Sequence, residues 1–290
     1  MDKNARIMIT GASGFIGRRL VDALLERGYT GLYLLVRRTS DVTPFRGKPV
    51  TLVYGDVGDP VSLHEIEGPF DALFHCAGYV NNSDRPRLWR YNVRGTENIC
   101  RHALRWGVRR FIYVSSVAVV SGHDDVPLRE DLPLKSARSA RLYGMSKLRA
   151  EQVAVSFREK GLPMVIVRPP MVYGEGEPHA MAAIMRLLRL RLLPLVGGGR
   201  ARLHMVYVSN LASFLVECLE NDAAFGGVFF AADREALTVR DVFTTLARGA
   251  GFPDPLPLPG LLSRVLIRIP LLGRKLSFMT KDRVYDVSRV

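Results

Sequence analysis

Three evenly spaced glycines, Gly11-x-x-Gly14-x-x-Gly17, constrain this chain more than any other feature. They come after the apolar run Ile7-Met8-Ile9 and lead into Phe15, Ile16, Leu20, Val21, Leu24 and Leu25, which recur at helical spacing. A buried strand, a tight turn and an amphipathic helix with one apolar face therefore occur in that order. Gly11 permits a sharp turn at the strand end, and Gly14 removes a side chain where a pyrophosphate would meet the first helical amides. Gly17 lets the helix lie close on the sheet. The same spacing also suits a strand-to-helix turn with no ligand, and later segments must decide between the two.

Further apolar runs read as parallel strands, each ending in small, polar or basic residues. Leu32-Tyr33-Leu34-Leu35-Val36 ends in Arg37-Arg38-Thr39-Ser40. An acidic residue at this distance from the glycines would accept from the ribose 2′-hydroxyl of NAD. Two guanidinium groups suit the 2′-phosphate of NADP instead, and the alternative is a basic surface turn. Val50-Thr51-Leu52-Val53-Tyr54 precedes Gly55-Asp56-Val57, where Asp56 can accept from an adenine amino group. Ala72-Leu73-Phe74-His75 precedes Cys76-Ala77-Gly78, small residues that let a cofactor pass close to backbone.

A helical pattern over residues 88–105 contains Asn92, and Phe111-Ile112-Tyr113-Val114 ends in Ser115-Ser116. Tyr143-Gly144-Met145-Ser146-Lys147 opens another helix. Tyr143 and Lys147, four residues apart, share a face on which an ammonium can lower the phenol pKa and hold a cofactor ribose. Met164-Val165-Ile166-Val167 then runs into Arg168-Pro169-Pro170-Met171-Val172-Tyr173-Gly174, whose prolines stop the strand at the carboxyl edge of the sheet.

Taken in order, the segments Thr10 to Gly17, Gly55-Asp56-Val57, His75 to Gly78, Asn92-Val93-Arg94-Gly95-Thr96-Glu97-Asn98, Val114-Ser115-Ser116, Tyr143 to Lys147 and Arg168 to Gly174 resemble the extended short-chain dehydrogenase/reductase family. Met205 to Ala212 also resembles a family segment, with Ser209 and Asn210 where acidic residues are usual. The resemblance implies an α/β fold, a Rossmann-type doubly wound parallel sheet with a smaller, mostly helical C-terminal substrate lobe. Residues 1–173 and 204–233 would form the dinucleotide domain, and 174–203 and 234–290 the lobe. It implies catalytic roles for Asn92, Ser116, Tyr143 and Lys147, with Ser115 the alternative to Ser116 because Val120-Ser121-Gly122 replaces the usual aromatic-glycine ending. Its cofactor contacts would be Gly11, Ser13, Gly14, Phe15, Ile16, Gly17, Arg37, Arg38, Asp56, Val57, Cys76, Ala77, Gly78, Tyr143, Lys147, Pro170, Met171 and Val172.

The activity implied is NADP(H)-dependent hydride transfer to or from a carbinol or carbonyl carbon of a largely apolar, sterol-, prenyl-, acyl- or flavonoid-like substrate; NAD is the alternative cofactor. The expected branch is that of the 3β-hydroxysteroid dehydrogenases and dihydroflavonol reductases. A nucleotide-sugar epimerase or dehydratase with tightly bound NAD is the first rival. Arg37-Arg38, the apolar lobe patterns around Met181–Leu192 and Leu261–Ile269, and Leu203 in place of a phosphate-binding Arg all weigh against it, although Arg200 and Arg202 stand close by. A redox sensor that binds NADP without turnover is the second rival, and such proteins often lack the Tyr or Lys retained here.

Composition bounds the partners. The 290 residues are 48% hydrophobic and 24% charged, enough for a large core. The net charge of +13 is spread along the chain with no long basic block. No helix-turn-helix, aromatic strip or zinc module accompanies it, so nucleic acid is not expected. Cys76, Cys100 and Cys218 have neither disulfide nor metal spacing and suggest a reducing compartment. With no signal peptide read at the N-terminus, the expectation is a cytoplasmic protein that binds a small-molecule substrate and no metal. A homodimer stays open, as does a peripheral membrane contact through the basic, apolar C-terminal segment. The stretch from Leu256 to Gly273, with Arg264, Arg268 and its prolines, should not span a bilayer.

Overall fold

The computed structural model describes all residues except 125, 138–140, 179–180, 270–275, 277–278 and 290, and leaves out the side chains of 141 and 264–267. Expectations resting on the side chains of Arg264, Val265 and Leu266, or on Gly273, lie outside the described residues.

The elements include every apolar run read as a strand. They are β1 (Ile7–Thr10), α1 (Phe15–Glu26), β2 (Leu32–Val36), β3 (Val50–Tyr54), α2 (Val61–His64), β4 (Ala72–His75), α3 (Arg85–Leu88), α4 (Gly95–Arg105), β5 (Arg110–Val114), α5 (Arg141–Glu159) and β6 (Met164–Arg168). After them come β7 (Met171–Tyr173), α6 (Met181–Arg189), β8 (Arg202–Leu203), β9 (Met205–Tyr207), α7 (Val208–Glu220), β10 (Val228–Phe230), β11 (Leu237–Thr238), α8 (Val239–Gly249) and α9 (Gly260–Arg268). Seven parallel strands form one sheet in the order β10-β6-β5-β4-β1-β2-β3. The chain works outward from β1 to β3, then returns to place β4 on the other side of β1. A crevice therefore opens beyond the carboxyl ends of β1 and β4, where connections diverge to opposite faces.

The period-two alternation of the strands sorts side chains between two cores. Ile7 and Ile9 of β1, Leu32, Leu34 and Val36 of β2, and Ile112 and Val114 of β5 face one way, against Leu20, Val21 and Leu24 of α1 and Leu211, Leu215 and Leu219 of α7. Met8, Leu35, Phe111 and Tyr113 face the other, against Ile99, Cys100 and Ala103 of α4 and Ala150, Ala154 and Phe157 of α5. Leu20, Val21 and Leu24 are fully buried, each contributing about 1.5–3 kcal/mol through removal from water. A separate cluster around Leu188, Leu193, Leu195, Leu203, Val239 and Phe243 forms the apolar centre of the later segments.

The helical pattern over 88–105 is not one uniform helix. Between α3 and α4, Trp89–Arg94 takes a π-helical path, and Asn92 lies inside it. None of the described helices is long and apolar enough to cross a membrane.

Candidate active site

The glycine turn fits a dinucleotide sterically. Gly11 has φ +71°, and a Cβ there would lie 2.6 Å from the Ala77 nitrogen, so β1 and the β4 exit touch only because the side chain is absent. A Cβ on Gly17 would stand 2.2 Å from the Gly11 carbonyl oxygen. Gly14 caps α1 without a side chain, and its N–H donates to the Gly11 carbonyl (3.0 Å). The first amides of α1 are left facing the crevice, with the helix dipole behind them.

Gly11, Ser13, Gly14, Arg37, Asp56, Val57, Cys76, Ala77 and Gly78 line one cleft of about 460 Å³. Arg38 lines an adjoining cleft together with Arg37, Tyr54 and Tyr91. The guanidinium groups lie over aromatic rings, Arg37 at 5.8 Å from the Tyr91 centroid and Arg38 at 5.3 Å from that of Tyr54. Asp56 is already engaged, one oxygen accepting the Gly58 N–H (2.8 Å) and the other 3.8 Å from Arg90. Phe15, Ile16 and Gly17 form the first turn of α1 and do not line the cleft. Pro170, Met171 and Val172 do not line the cleft; Met171 and Val172 pair with Met205 and Val206 in a separate two-stranded sheet.

Tyr143, Lys147 and Glu151 recur at four-residue spacing on α5, on its side toward β5. The Lys147 Nζ donates to the Val114 carbonyl (2.9 Å). Burial brings its pKa down to about 8, against the opposing pull of Glu151 and Cys76. Burial also raises the Tyr143 phenol, and a hydrogen bond with Ser116 works against that shift. In the protein alone, then, burial outweighs any lowering of the phenol by the ammonium. Ser116 also accepts the Ala118 N–H (3.2 Å) at the start of a short 3-10 turn. Ser115 turns the other way and donates to Glu151 (2.5 Å).

Asn92 is buried, its Oδ1 accepting the Tyr79 N–H (2.7 Å) and its Nδ2 donating to the Tyr79 carbonyl (2.9 Å) and the Ser146 hydroxyl (2.8 Å). Ser146 in turn donates to the Tyr143 carbonyl (2.7 Å). Asn92 thus ties the loop after β4 to the first turn of α5.

Two buried arrangements have no counterpart among the sequence motifs. The first is a directed chain. Thr96 donates to the Asn92 carbonyl (2.6 Å) and so accepts from His75 Nε2 (3.1 Å); His75 Nδ1 accepts from Thr10 (2.7 Å), which itself accepts the Ala77 N–H (3.3 Å). Only a neutral imidazole satisfies it, and burial, with Lys147 adding, brings the His75 pKa down to about 3. The second is an ion pair between Arg168 and Glu151 (2.5 Å), almost wholly buried, with Arg168 also donating to the Glu130 carbonyl (2.9 Å). Glu151 stands four residues after Lys147, the one signal that could have singled it out. No group of three metal-ligating side chains occurs among the described residues.

A parallel, doubly wound sheet with a glycine turn at its switch point defines a dinucleotide-binding protein. The chain belongs to the NAD dependent epimerase/dehydratase family, an NAD(P)-dependent enzyme family of the extended short-chain dehydrogenase/reductase type, whose family model matches residues 7–230. It is 30% identical over 257 residues to a putative dihydroflavonol 4-reductase of Synechocystis sp., across 85% of this chain and 73% of that one. It is 28% identical over 268 residues to the UDP-glucose 4-epimerase of Vibrio cholerae, across 87% and 78%. The crystal structure of gox2253 superposes with a TM-score of 0.81 at 29% identity, across 99% of this chain and 91% of that one.

Proposed function

We propose that the protein is an NADP(H)-dependent reductase or dehydrogenase acting on a hydroxyl or carbonyl carbon of a largely apolar substrate. The observation that carries this reading is the pair Arg37 and Arg38 at the rim of the cleft entered by Gly11 and Gly14, on the same sheet edge as Ser116 and Lys147. Gly11, Ser13 and Gly14 would hold the pyrophosphate, Arg37 and Arg38 the 2′-phosphate, and Lys147 the nicotinamide ribose. NADP(H), when bound, supplies or takes up the hydride and in its oxidised form adds positive charge beside the phenol.

Tyr143 exchanges the proton with the substrate oxygen, and Ser116 hydrogen-bonds that same oxygen. Lys147, held on the Val114 carbonyl, keeps a cation near the phenol so that tyrosinate can form at lower pH. Asn92 fixes the loop after β4, which lines the cleft, by bonding both backbone groups of Tyr79.

A nucleotide-sugar epimerase is the second reading, favoured by the Vibrio cholerae likeness. Against it, Leu203 is buried in the later apolar cluster and the Arg202 guanidinium is turned to the Ala236 carbonyl (3.4 Å). Titration with NADPH and NADH, on the parent and on Arg37→Asp, tests the cofactor. NADPH should bind more tightly to the parent, and the variant should lose that advantage by about tenfold or more. A parent that prefers NADH would overturn the cofactor assignment. NADPH consumption with apolar ketones should vanish in Tyr143→Phe while NADPH affinity stays nearly unchanged. Full activity in that variant, or conversion of UDP-glucose by the parent, would overturn the mechanism.

A further inference from the structure

Charge in this chain is less evenly spread than its overall composition suggests. Residues 178–203 and 255–281 together hold ten arginines and lysines and no Asp or Glu. These stretches lie far apart in sequence, and their described parts around residues 195–197 and 256–263 meet in space. Leu195 donates its N–H to the Leu256 carbonyl (2.9 Å) and accepts from the Leu258 N–H (3.1 Å), while Gly197 donates to Ser263 of α9 (3.2 Å).

The same two stretches expose large apolar side chains. Leu187, Leu190, Leu192, Leu256, Leu261 and Leu262 are all exposed, Leu261 to 77%. Their neighbours Leu188, Leu193 and Leu195 are buried and anchor the segments to the apolar cluster, so the exposed leucines are a second, outward row. Arg186, Arg189, Arg191 and Arg268 are exposed among them. The carboxylates that bound the stretches are already engaged, two of them by backbone N–H groups of the stretches themselves, and Lys281 is paired with Asp124 (2.8 Å). Glu177 accepts the Met181 N–H, Asp254 is held by Arg248, and Asp282 accepts the Arg202 N–H.

We infer that this face docks on an anionic lipid bilayer, with the leucines entering the headgroup boundary and the arginines pairing with lipid phosphates. Leucines alone would fit any apolar partner and arginines alone any polyanion; their interleaving without a carboxylate selects a surface that is apolar beneath and anionic above. A second copy of the chain would set arginines against arginines, and duplex DNA offers no apolar layer for six leucines. The surface would place the protein where an apolar substrate partitions.

Co-sedimentation of the full chain with vesicles of phosphatidylcholine, alone or mixed with phosphatidylglycerol, tests this. Binding to the mixed vesicles should be strong at low salt and weaken as salt rises, with little binding to the neutral ones. Arg186→Gln/Arg189→Gln/Arg191→Gln should weaken it about a hundredfold, and Leu261→Ser/Leu262→Ser about tenfold. All five positions are on the surface, so unchanged melting temperatures should accompany both losses. Several outcomes would overturn the inference: no vesicle binding, equal binding to both vesicles, or binding that survives both variants. So would a dimer dispersed by the leucine variant in place of vesicle binding, or DNA binding that only the arginine variant weakens. The assay reads binding alone, so its failure leaves the oxidoreductase reading standing.

Discussion

Buried between Thr10 and Thr96, His75 has both ring nitrogens assigned by its neighbours. Its folded pKa of about 3 lies below the ordinary 6.5. Between those values the unfolded chain binds a proton that the folded chain refuses, so stability drops as pH falls through that window. This one group should contribute about 1.4 kcal/mol per pH unit. Urea unfolding at several pH values should show a shallower pH dependence for His75→Gln than for the parent; equal slopes would exclude this role. Gly17→Ala is the sharper steric probe, because its Cβ would overlap the Gly11 carbonyl, a backbone atom that can move only with the turn. We expect a loss of at least about 2 kcal/mol in chemical unfolding, together with weaker NADPH binding. The tight turn at Gly11 and Gly17 and the place of Arg37 at the cleft were legible in the sequence because each follows directly from the end of its own strand. His75 was not, because its partners come from positions 65 residues before and 21 after it.

Helix α5 carries Tyr143, Lys147 and Glu151 at four-residue spacing, the first two being the groups proposed for proton exchange. The shared face of Tyr143 and Lys147 was readable from their four-residue interval together with the motifs around it, but Glu151 acquires its meaning only from Arg168 at the end of β6. Arg168→Met leaves a carboxylate buried without its partner and should cost about 3–5 kcal/mol. Adding Glu151→Gln should recover part of that loss, because the uncompensated charge goes with it. A double-mutant cycle by urea unfolding measures the coupling, and strictly additive losses would show that the pair acts as two separate groups. Lys147 runs the opposite way. Its folded pKa near 8 lies below the ordinary 10.5, so below pH 8 the folded state bears the cost of a buried ammonium. Lys147→Met should therefore stabilise the fold at neutral pH by about 2 kcal/mol, net of the Val114 carbonyl left without a donor. Turnover should be lost in the same variant, so thermal unfolding and activity would move in opposite directions. The π-helical path of Trp89–Arg94 had no sequence signal of its own. Asn92 is held there by Tyr79 and Ser146, contacts that periodicity along a single helix does not encode.

Across the whole molecule, the doubly wound parallel class was legible because six apolar runs alternate with turns and helical patterns, whereas the strand order and the seventh strand, β10, came only with the structure. What escaped was the way distant segments combine, both in the Pro170–Val172 stretch, which joins a small sheet with β9, and in the two acid-free stretches that share one face. The cleft gathers the carboxyl ends of β1, β2, β3 and β4, four adjacent strands that anchor both cores. A ligand bridging those ends should be felt as global stability rather than local ordering. NADPH at a hundred times its Kd should add about 2.7 kcal/mol, since it binds the folded chain and not the unfolded one. Thermal unfolding with NADPH, and separately with NADH at the same concentration, should show the larger upward shift for NADPH, and Arg37→Asp should erase the difference. Amide exchange should slow in β1 and β4 on NADPH addition while α6, which packs on a separate core, and α9, bonded through Ser263 to Gly197, change little. Protection rising equally in α6 and α9 would mean that the cofactor also closes the later segments over the site, coupling the lipid-facing surface to the cleft.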